Sequence, residues 1–157
     1  MLATSTRLHT WMRGALLGVA LASPAAAQDA QSEIRTALTQ WMEDFNARRA
    51  GKVCGLFAPD LVAQFRGQPE RNYAGLCELL KRSLSDPERS YSYTLAIKEV
   101  IVFGDAAIVR LVWTLTVHRK DAPGGDITAN EPGMDLFRRQ TDGSWKIARY
   151  IAYEDER

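Results

Sequence analysis

The spacing of the apolar residues changes once along this chain, near residues 85–87, and this change restricts the folds that the chain can adopt. Before this point, apolar side chains recur every three or four residues, which is the spacing of one face of an α-helix. From Tyr91 onward they alternate with polar side chains, which is typical of half-buried strands. The order predicts an α+β domain in which helices precede a largely antiparallel sheet.

The first part of the chain is predicted to contain three helices. The first spans residues 32–49, and its apolar stripe consists of Ile34, Leu38, Trp41, Met42 and Phe45. A short second helix over residues 53–57 is expected to end at Pro59, because proline interrupts a helix. The third spans residues 73–84, and Asn72 is placed to cap its first turn.

The second part is predicted to contain strands joined by tight turns. Gly104-Asp105 and residues 141–144 have the composition of hairpin turns, and residues 121–125 have that of a loop. The predicted strands, with a short one between the second and third helices, are residues 61–65, 91–103, 107–120, 134–140 and 145–153. Because tight turns join antiparallel neighbours, the sheet is expected to be mainly antiparallel.

The register of the last hairpin can be predicted from a four-residue turn. Its cross-strand pairs are then Gln140–Trp145, Phe137–Ala148, Leu136–Arg149 and Asp135–Tyr150. One face holds Met134, Leu136, Trp145, Ile147 and Ile151, and the other holds Asp135, Phe137, Ala148, Tyr150 and Ala152. Both faces are substantially apolar. Helices cover one face of the sheet, and a partner subunit is the simplest cover for the other.

The first 27 residues have the organisation of a secretory signal. Basic residues precede an apolar run over residues 15–22, and residues 25–27 are alanines, the small side chains that signal peptidase accepts. We expect cleavage after Ala27 and export of residues 28–157, as one domain, to the periplasm or the exterior. The apolar run is too short for a membrane span, which needs about 20 residues.

The composition of the exported domain argues against several functions. Removal of the signal leaves 18 basic and 19 acidic residues, and so nearly neutral a chain gives no support to nucleic-acid or membrane binding. His118 is then the only histidine, and Cys54 and Cys77 do not form a Cys-x-x-Cys motif, so neither a metal site nor a cofactor is expected. In an oxidising compartment the two cysteines are expected to form a disulfide, with two buried free thiols as the alternative.

Three segments resemble those of one superfamily. Residues 55–62 (GLFAPDLV) resemble the first-strand segment of the SnoaL-like and DUF4440-like members of the NTF2-like (nuclear transport factor 2) superfamily. Residues 102–109 (VFGDAAIV) resemble their central turn, and residues 142–147 (DGSWKI) resemble their final hairpin. The resemblance covers residues 32–153. It implies a cone of three helices on a curved sheet, a conical pocket, and dimers formed through the outer sheet face.

The resemblance also sets expectations for catalysis, because this fold hosts enzymes, ligand binders and association modules. In the members similar to ketosteroid isomerase, a carboxylate at the end of the first strand is the proton-transferring base. Alignment of the helix end places Phe65 near that position, whereas Asp60 comes too early. This departure argues against isomerase chemistry. A dehydratase of this fold uses more than one histidine, which this domain does not have.

Four polar residues are candidates for a site. Asp135 lies opposite Tyr150 in the predicted hairpin, so that a carboxyl–phenol pair can line a pocket or form a structural contact. Glu99 follows two apolar positions of its strand and is buried unless a bulge turns it to solvent. Arg149 can bind an anionic ligand or form an ion pair with Glu99 or Asp135. Together, an arginine and two carboxyls imitate the Asp–Arg–Asp set of epoxide hydrolases of this fold.

The sequence therefore favours an exported homodimer whose pocket binds a small, mostly apolar molecule, without catalysis being established. The expected pocket residues are Trp41, Phe65, Tyr93, Trp113, Asp135, Arg149 and Tyr150. One alternative is an isomerase, lyase or hydrolase in which Asp135 or Glu99 transfers a proton. Another is a dimeric association module that binds no ligand.

Overall fold

The computed structural model describes residues 24–121 and 124–155, which form two helices and one curved sheet. In chain order the elements are α1 (Pro24–Asn46), β1 (Phe57–Phe65), β2 (Arg71–Asn72), α2 (Tyr73–Ser85), β3 (Arg89–Phe103), β4 (Ala106–Arg119), β5 (Ile127–Arg139) and β6 (Trp145–Ala152). The six strands lie in the order β2-β1-β6-β5-β4-β3. β1 and β6 are parallel and all other neighbours are antiparallel, so the sheet is mixed.

The predicted second helix is wrong, and among the described residues there are two helices and not three. Residues 51–56 form consecutive turns, and β1 already begins at Phe57. The Ile147 N–H donates a hydrogen bond to the Leu56 carbonyl at 2.9 Å, which joins this segment to the sheet. Pro59 lies within β1, where the pairing register with β6 shifts. A residue without an N–H is tolerated at such an irregularity, so this proline does not end a helix.

Both helices pack on one face of the sheet, which we call the inner face. Ile34, Leu38 and Phe45 of α1 are at most 2% exposed, as expected for the apolar stripe. At the start of α2 the Asn72 side chain accepts a hydrogen bond from the Gly75 N–H at 3.0 Å, which confirms the predicted cap. Burial of each large apolar side chain stabilises the fold by about 1.5–3 kcal/mol.

A disulfide joins Cys54 to Cys77, and the predicted pairing is confirmed. The bond connects the turn before β1 to α2, and the two Cα atoms are 5.5 Å apart. Closing a loop of this length stabilises a fold by about 3 kcal/mol in the chain-entropy description. The disulfide thus fastens α2 to the edge of the sheet that it covers.

The β5–β6 hairpin contains a bulge that changes part of the predicted register. The predicted pairs Asp135–Tyr150 and Leu136–Arg149 are confirmed. The other two are wrong, since the observed pairs are Phe137–Ile147 and Arg139–Trp145. An extra residue in β6 shifts the register by one. Trp145 and Ile147 therefore face the helices, where they are 5% and 3% exposed, and not the outer face.

The outer face of the sheet, which points away from the helices, carries exposed apolar side chains. They are Ile101 and Phe103 at the end of β3, Met134 on β5 and Ile151 on β6. The cross-strand pairs Ile101–Ile108, Ile108–Leu136 and Met134–Ile151 make this apolar surface continuous across four strands. These residues form a second apolar face of the sheet, as the sequence predicts.

The expected signal segment falls mostly on residues that the structure does not describe. Residues 1–23 lie outside the described residues, and α1 begins at Pro24, so that residues 24–27 form its first turn. Cleavage after Ala27 stays a prediction. Of the helices in the described part of the chain, neither is long and apolar enough to cross a membrane.

Candidate functional site

A cavity of about 300 Å³ lies between the inner face of the sheet and the two helices. Six of the expected pocket residues are on its wall, namely Trp41, Phe65, Tyr93, Trp113, Asp135 and Tyr150. Most of the remaining wall is apolar and comes from Leu56, Phe57, Leu76, Leu79, Leu80, Leu111, Leu115, Ile147 and Ala152. The polar groups of the cavity are few, so the position of each one matters for what it can bind.

Three aromatic rings pack together along one side of the cavity. The ring centroid of Trp41 is 5.8 Å from that of Tyr93 and 5.1 Å from that of Trp113, and the last two are 5.6 Å apart. The Trp41 Nε1–H donates a hydrogen bond to the Val53 carbonyl at 2.7 Å, which fixes the indole relative to the turn before β1. The cluster forms a firm apolar wall with ring faces and edges toward the cavity.

Asp135 is the buried acid of this cavity. It is 4% exposed, and β5 places it on the inner face between Val109 and Tyr150 of the neighbouring strands. No hydrogen bond or ion pair from the described residues reaches its carboxyl. Burial alone raises the pKa of Asp135 from 3.8 to about 7. Near neutral pH the carboxyl thus exists in both forms and can donate or accept a hydrogen bond.

Glu131 is a second acid on the same face of β5. Its carboxyl lies near the Tyr93 phenol, and each group affects the pKa of the other. Burial, and then the charge of Glu154, raise the pKa of Glu131 from 4.5 to about 7. Burial also raises the pKa of Tyr93 well above its usual range, so the phenol keeps its proton. The cavity therefore has a second carboxyl that changes charge near neutral pH.

The other polar side chains of the wall are Tyr150, Arg71, Gln68 and Glu154. Burial raises the pKa of Tyr150 to about 12, the charges of Asp135 and Glu131 add to the rise, and Arg71 opposes it. The Tyr150 phenol is therefore a hydrogen-bond donor at neutral pH. Arg71, at the β2 edge of the cavity, makes no ion pair with a carboxyl of the described wall.

Two of the predicted candidates lie outside the cavity. Glu99 follows a bulge in β3, which turns its side chain to the outer face, where it forms an ion pair with Arg110 at 3.3 Å. Arg149 also points outward, because it pairs with Leu136 on that face, and its Nη1 donates to the Asp60 carbonyl at 2.9 Å. The set of Asp135, Arg149 and Glu99 therefore does not converge on one site.

His118 lies at the surface of the described structure. Its Nδ1 lies 2.8 Å from a carboxylate oxygen of Asp126, and both side chains are nearly half exposed. Neither residue lines the cavity. Among the described residues no group of three or more His, Cys, Asp or Glu side chains is arranged to hold a metal ion.

Glu131, Glu154 and Arg71 were missed by the reasoning from sequence. The predicted strand began at Met134, whereas β5 begins at Ile127. The signal that could have found Glu131 is its even spacing from Asp135, which puts both residues on one face of a longer strand.

Gly133 lies between the two acids and needs to be small. A Cβ at this position would lie 3.1 Å from the Ile151 carbonyl oxygen and 3.4 Å from the Ala152 Cβ. β5 and β6 approach closely here. The glycine thus keeps the wall flat between Glu131 and Asp135.

A second concavity, of about 840 Å³, is an open groove between α1 and the turn before β6. Polar side chains such as Asp29, Ser32, Thr36 and Gln40 line it, and these are exposed or half-buried. This groove is more open to solvent than the smaller cavity. The smaller cavity is therefore the candidate site.

The sequence comparison identifies a domain in this chain. A family model described as the SnoaL-like domain matches residues 38–150, which include α1 from its middle, all of the cavity wall except Glu154 and Ala152, and most of the sheet. No curated protein matches the chain.

Comparison with solved structures shows the NTF2-like fold. A ketosteroid isomerase-like protein from Erwinia carotovora atroseptica is 24% identical, with a TM-score of 0.66 over 80% of this chain and 96% of its own. An NTF2-like protein from Novosphingobium aromaticivorans is 19% identical, with a TM-score of 0.66 over 81% and 82%. ActVI-ORFA from Streptomyces coelicolor is 13% identical, with a TM-score of 0.66 over 81% and 98%. Likeness at these identities concerns the fold alone.

Proposed function

The chain belongs to the SnoaL-like domain family, and from this premise we propose that its cavity binds a small, mostly apolar molecule that presents a polar group to Asp135. The observation that carries this proposal is the Asp135 carboxyl, buried on the cavity wall and without a hydrogen bond from the described residues. Its oxygens are accessible from the cavity, because no fully enclosed side-chain oxygen of the described residues lacks a partner, and a ligand can hydrogen-bond to them in place of water.

The apolar wall and the polar groups contribute differently to such binding. Leucine and aromatic side chains bury the body of the ligand, which supplies most of the affinity. The Asp135 carboxyl and the Tyr150 phenol lie opposite each other on neighbouring strands and fix its orientation. Because Tyr150 stays protonated, it supplies a donor at all physiological pH values.

Native mass spectrometry of the protein purified from its own periplasm, under non-reducing conditions, tests this function. We expect a co-purified molecule, which Trp113→Ala releases, because Trp113 lines the cavity. Tyr153→Ala is the control, since Tyr153 is an exposed aromatic outside the wall. Ligand-free protein that also fails to bind added apolar aromatic probes would contradict the proposal.

A second candidate function is acid–base catalysis by Asp135 in an isomerase, lyase or hydrolase. A carboxyl with a pKa near 7 in an apolar cavity is suited to transfer protons at neutral pH, and this observation favours the candidate. Asp135→Asn is then expected to abolish turnover of the co-purified molecule while it stays bound. Glu99 has no part in this candidate, because it lies on the outer face.

Export and self-association are further proposals. We infer cleavage after Ala27, followed by oxidation of Cys54 and Cys77 outside the cytoplasm, and the mass of the periplasmic protein tests both. A second copy of the chain is the proposed cover of the apolar outer face, and the same arrangement without a ligand is the association-module alternative. Sedimentation analysis of Met134→Lys and Ile151→Lys variants tests the interface, because both residues are exposed on that face.

A further inference from the structure

We propose that the ligand of this cavity carries a cationic group, a protonated or quaternary amine, which Glu131 and Glu154 hold against the rings of Tyr93 and Trp113. The inference rests on the binding function proposed above and specifies the ligand class. It goes beyond an apolar ligand, because the apolar wall does not determine the charge of what binds there.

The sheet places the two glutamates side by side. Glu131 is directly opposite Trp113 in the β4–β5 pairing. On its other side the chain continues past β6, where Tyr153 N–H donates to the Pro132 carbonyl at 3.2 Å and Asp155 N–H donates to the Asn130 carbonyl at 2.8 Å. This register puts Glu154 opposite Glu131. Like charges directly opposite each other destabilise a sheet, and a cation between them removes the repulsion.

The cavity contains more anionic than cationic groups. The titratable side chains on its wall are Arg71 from β2, Tyr93 from β3, Glu131 and Asp135 from β5, Tyr150 from β6, and Glu154. The parts of the wall from α1, α2, β1 and β4 are uncharged. In the described chain Arg71 forms no ion pair with the three carboxyls. It opposes the rise in the pKa of the Tyr150 phenol. Three acids and one base leave an unbalanced negative charge.

The aromatic rings beside Glu131 favour an organic cation. A cation over the face of a tryptophan or tyrosine gains about 0.5–2 kcal/mol, depending on its desolvation. Tyr93 and Trp113 have ring centroids 5.6 Å apart, and Glu131, the cross-strand neighbour of Trp113, lines the cavity with them. Carboxyl and ring faces thus occur together at one end of the cavity wall, which suits a bulky, weakly hydrated ammonium group.

Asp135 provides a second, separate observation that indicates a ligand site in the cavity. Its carboxyl is more than nine-tenths buried, lines the same wall, and has no partner among the described residues. It lies four residues from Glu131 on the same face, about 13 Å along the strand. A molecule that spans this distance places its cation at Glu131 and a hydrogen-bonding group at Asp135.

The test compares two probes of nearly equal shape that differ in charge, phenyltrimethylammonium and tert-butylbenzene. Their binding to the protein without its signal segment, residues 28–157, is followed by the fluorescence of Trp41 and Trp113 at pH 8 and at pH 5. At pH 8 we expect the cation to bind roughly tenfold more tightly than its neutral counterpart. At pH 5 we expect this preference to fall below about threefold, since Glu131 and Asp135 become protonated.

Two variants show which residue causes the preference for the cation over the neutral probe. Glu131→Gln is expected to reduce the preference at pH 8 to below about threefold and to leave the neutral probe within about twofold of its original affinity. Glu99→Gln removes one exposed carboxylate of the outer face and is expected to change neither value. Binding of the cation at pH 7 is also expected to release protons, detected as a heat of binding that depends on the buffer.

The outcomes separate this inference from the function on which it rests. Equal binding of the two probes at pH 8, or a cation preference that survives Glu131→Gln, overturns the inference and leaves the apolar binding function standing. Failure of both probes and of larger apolar aromatics overturns the binding function itself. A preference for the cation that weakens at pH 5 and disappears with Glu131→Gln supports both.

Discussion

The charged side chains on the two faces of β5 differ in whether a side chain of opposite charge lies beside them. On the outer face Arg138 forms an ion pair with Asp60 and holds the pKa of that carboxyl below its usual value. On the inner face Glu131 and Asp135 have no cationic partner among the described residues, and burial raises their pKa values. The acids of the sheet are therefore of two kinds. Those outside are neutralised by arginines, and those inside stay available to a ligand.

The largest expected difference between the two faces concerns packing. Phe137 on the inner face is fully buried, whereas Met134 on the outer face is 50% exposed. We expect Phe137→Ala to lower the free energy of unfolding by about 3–5 kcal/mol, because it leaves a cavity in the core. Met134→Ala is expected to cost less than about 1 kcal/mol at concentrations where the protein is monomeric. Urea denaturation measures both, and equal losses would mean that the outer face is also packed.

The next effect concerns how α2 is held over the inner face. Replacement of Cys54 and Cys77 together by serine is expected to lower the free energy of unfolding by about 3 kcal/mol, since the unfolded chain is no longer cross-linked. Denaturation of the oxidised wild type and of the double variant gives the difference. A loss much smaller than this value would show that packing alone fastens the helix.

Substitution of the buried acid is expected to have a smaller effect than loss of the disulfide, and this effect depends on pH. Burial raises the pKa of Asp135 from 3.8 to about 7, so the folded protein retains a proton that the unfolded chain loses between these values. Stability from this proton is complete below pH of about 4 and is lost as the pH rises through 7, a change of about 4 kcal/mol. Asp135→Asn is expected to stabilise the protein by about 2 kcal/mol at pH 8, because its unpaired amide offsets part of the gain.

Thermal denaturation of this variant between pH 4 and 8 checks the sign. The wild type is expected to lose stability over this range, and the variant to lose less, with Glu131 accounting for the remaining slope. Parallel curves would show that Asp135 is not the group that titrates.

The smallest effect is expected on the outer face. Glu99 and Arg110 form an exposed ion pair at 3.3 Å, and such pairs contribute between about 0 and 1 kcal/mol. Glu99→Gln is therefore expected to change the free energy of unfolding by less than about 1 kcal/mol. A larger change would remove the distinction between the two faces.

Local patterns were sufficient to predict much of the fold. The stripe containing Ile34, Leu38 and Phe45 identified α1, and Asn72 identified the start of α2. In both helices residues close in sequence determine the structure, so their spacing contains the necessary information. The predicted pair Asp135–Tyr150 is correct only because the bulge in β6 offsets a turn that is one residue longer than the predicted one.

The errors arose where distant segments decide the local conformation. Pro59 lies in a strand because β6, about 90 residues later, pairs with that segment, and no local pattern reports this pairing. The bulge in β3 that turns Glu99 outward, and the one in β6 that turns Ile147 inward, each insert one residue without a signal in composition. Glu131 was missed because the predicted strand began at Met134 and left out residues 127–133 of β5.

The parallel pairing of β1 with β6 has a consequence for the order of folding. β3 to β6 follow one another as a chain of hairpins, so their pairing needs short loops, whereas β1 pairs in the main sheet with the last strand to be synthesised. Contacts of such sequence separation form slowly, because a long loop must close first. The sheet is thus completed after the final strand is present. The native sheet therefore closes only once β6 is available to β1, in whichever compartment the chain folds.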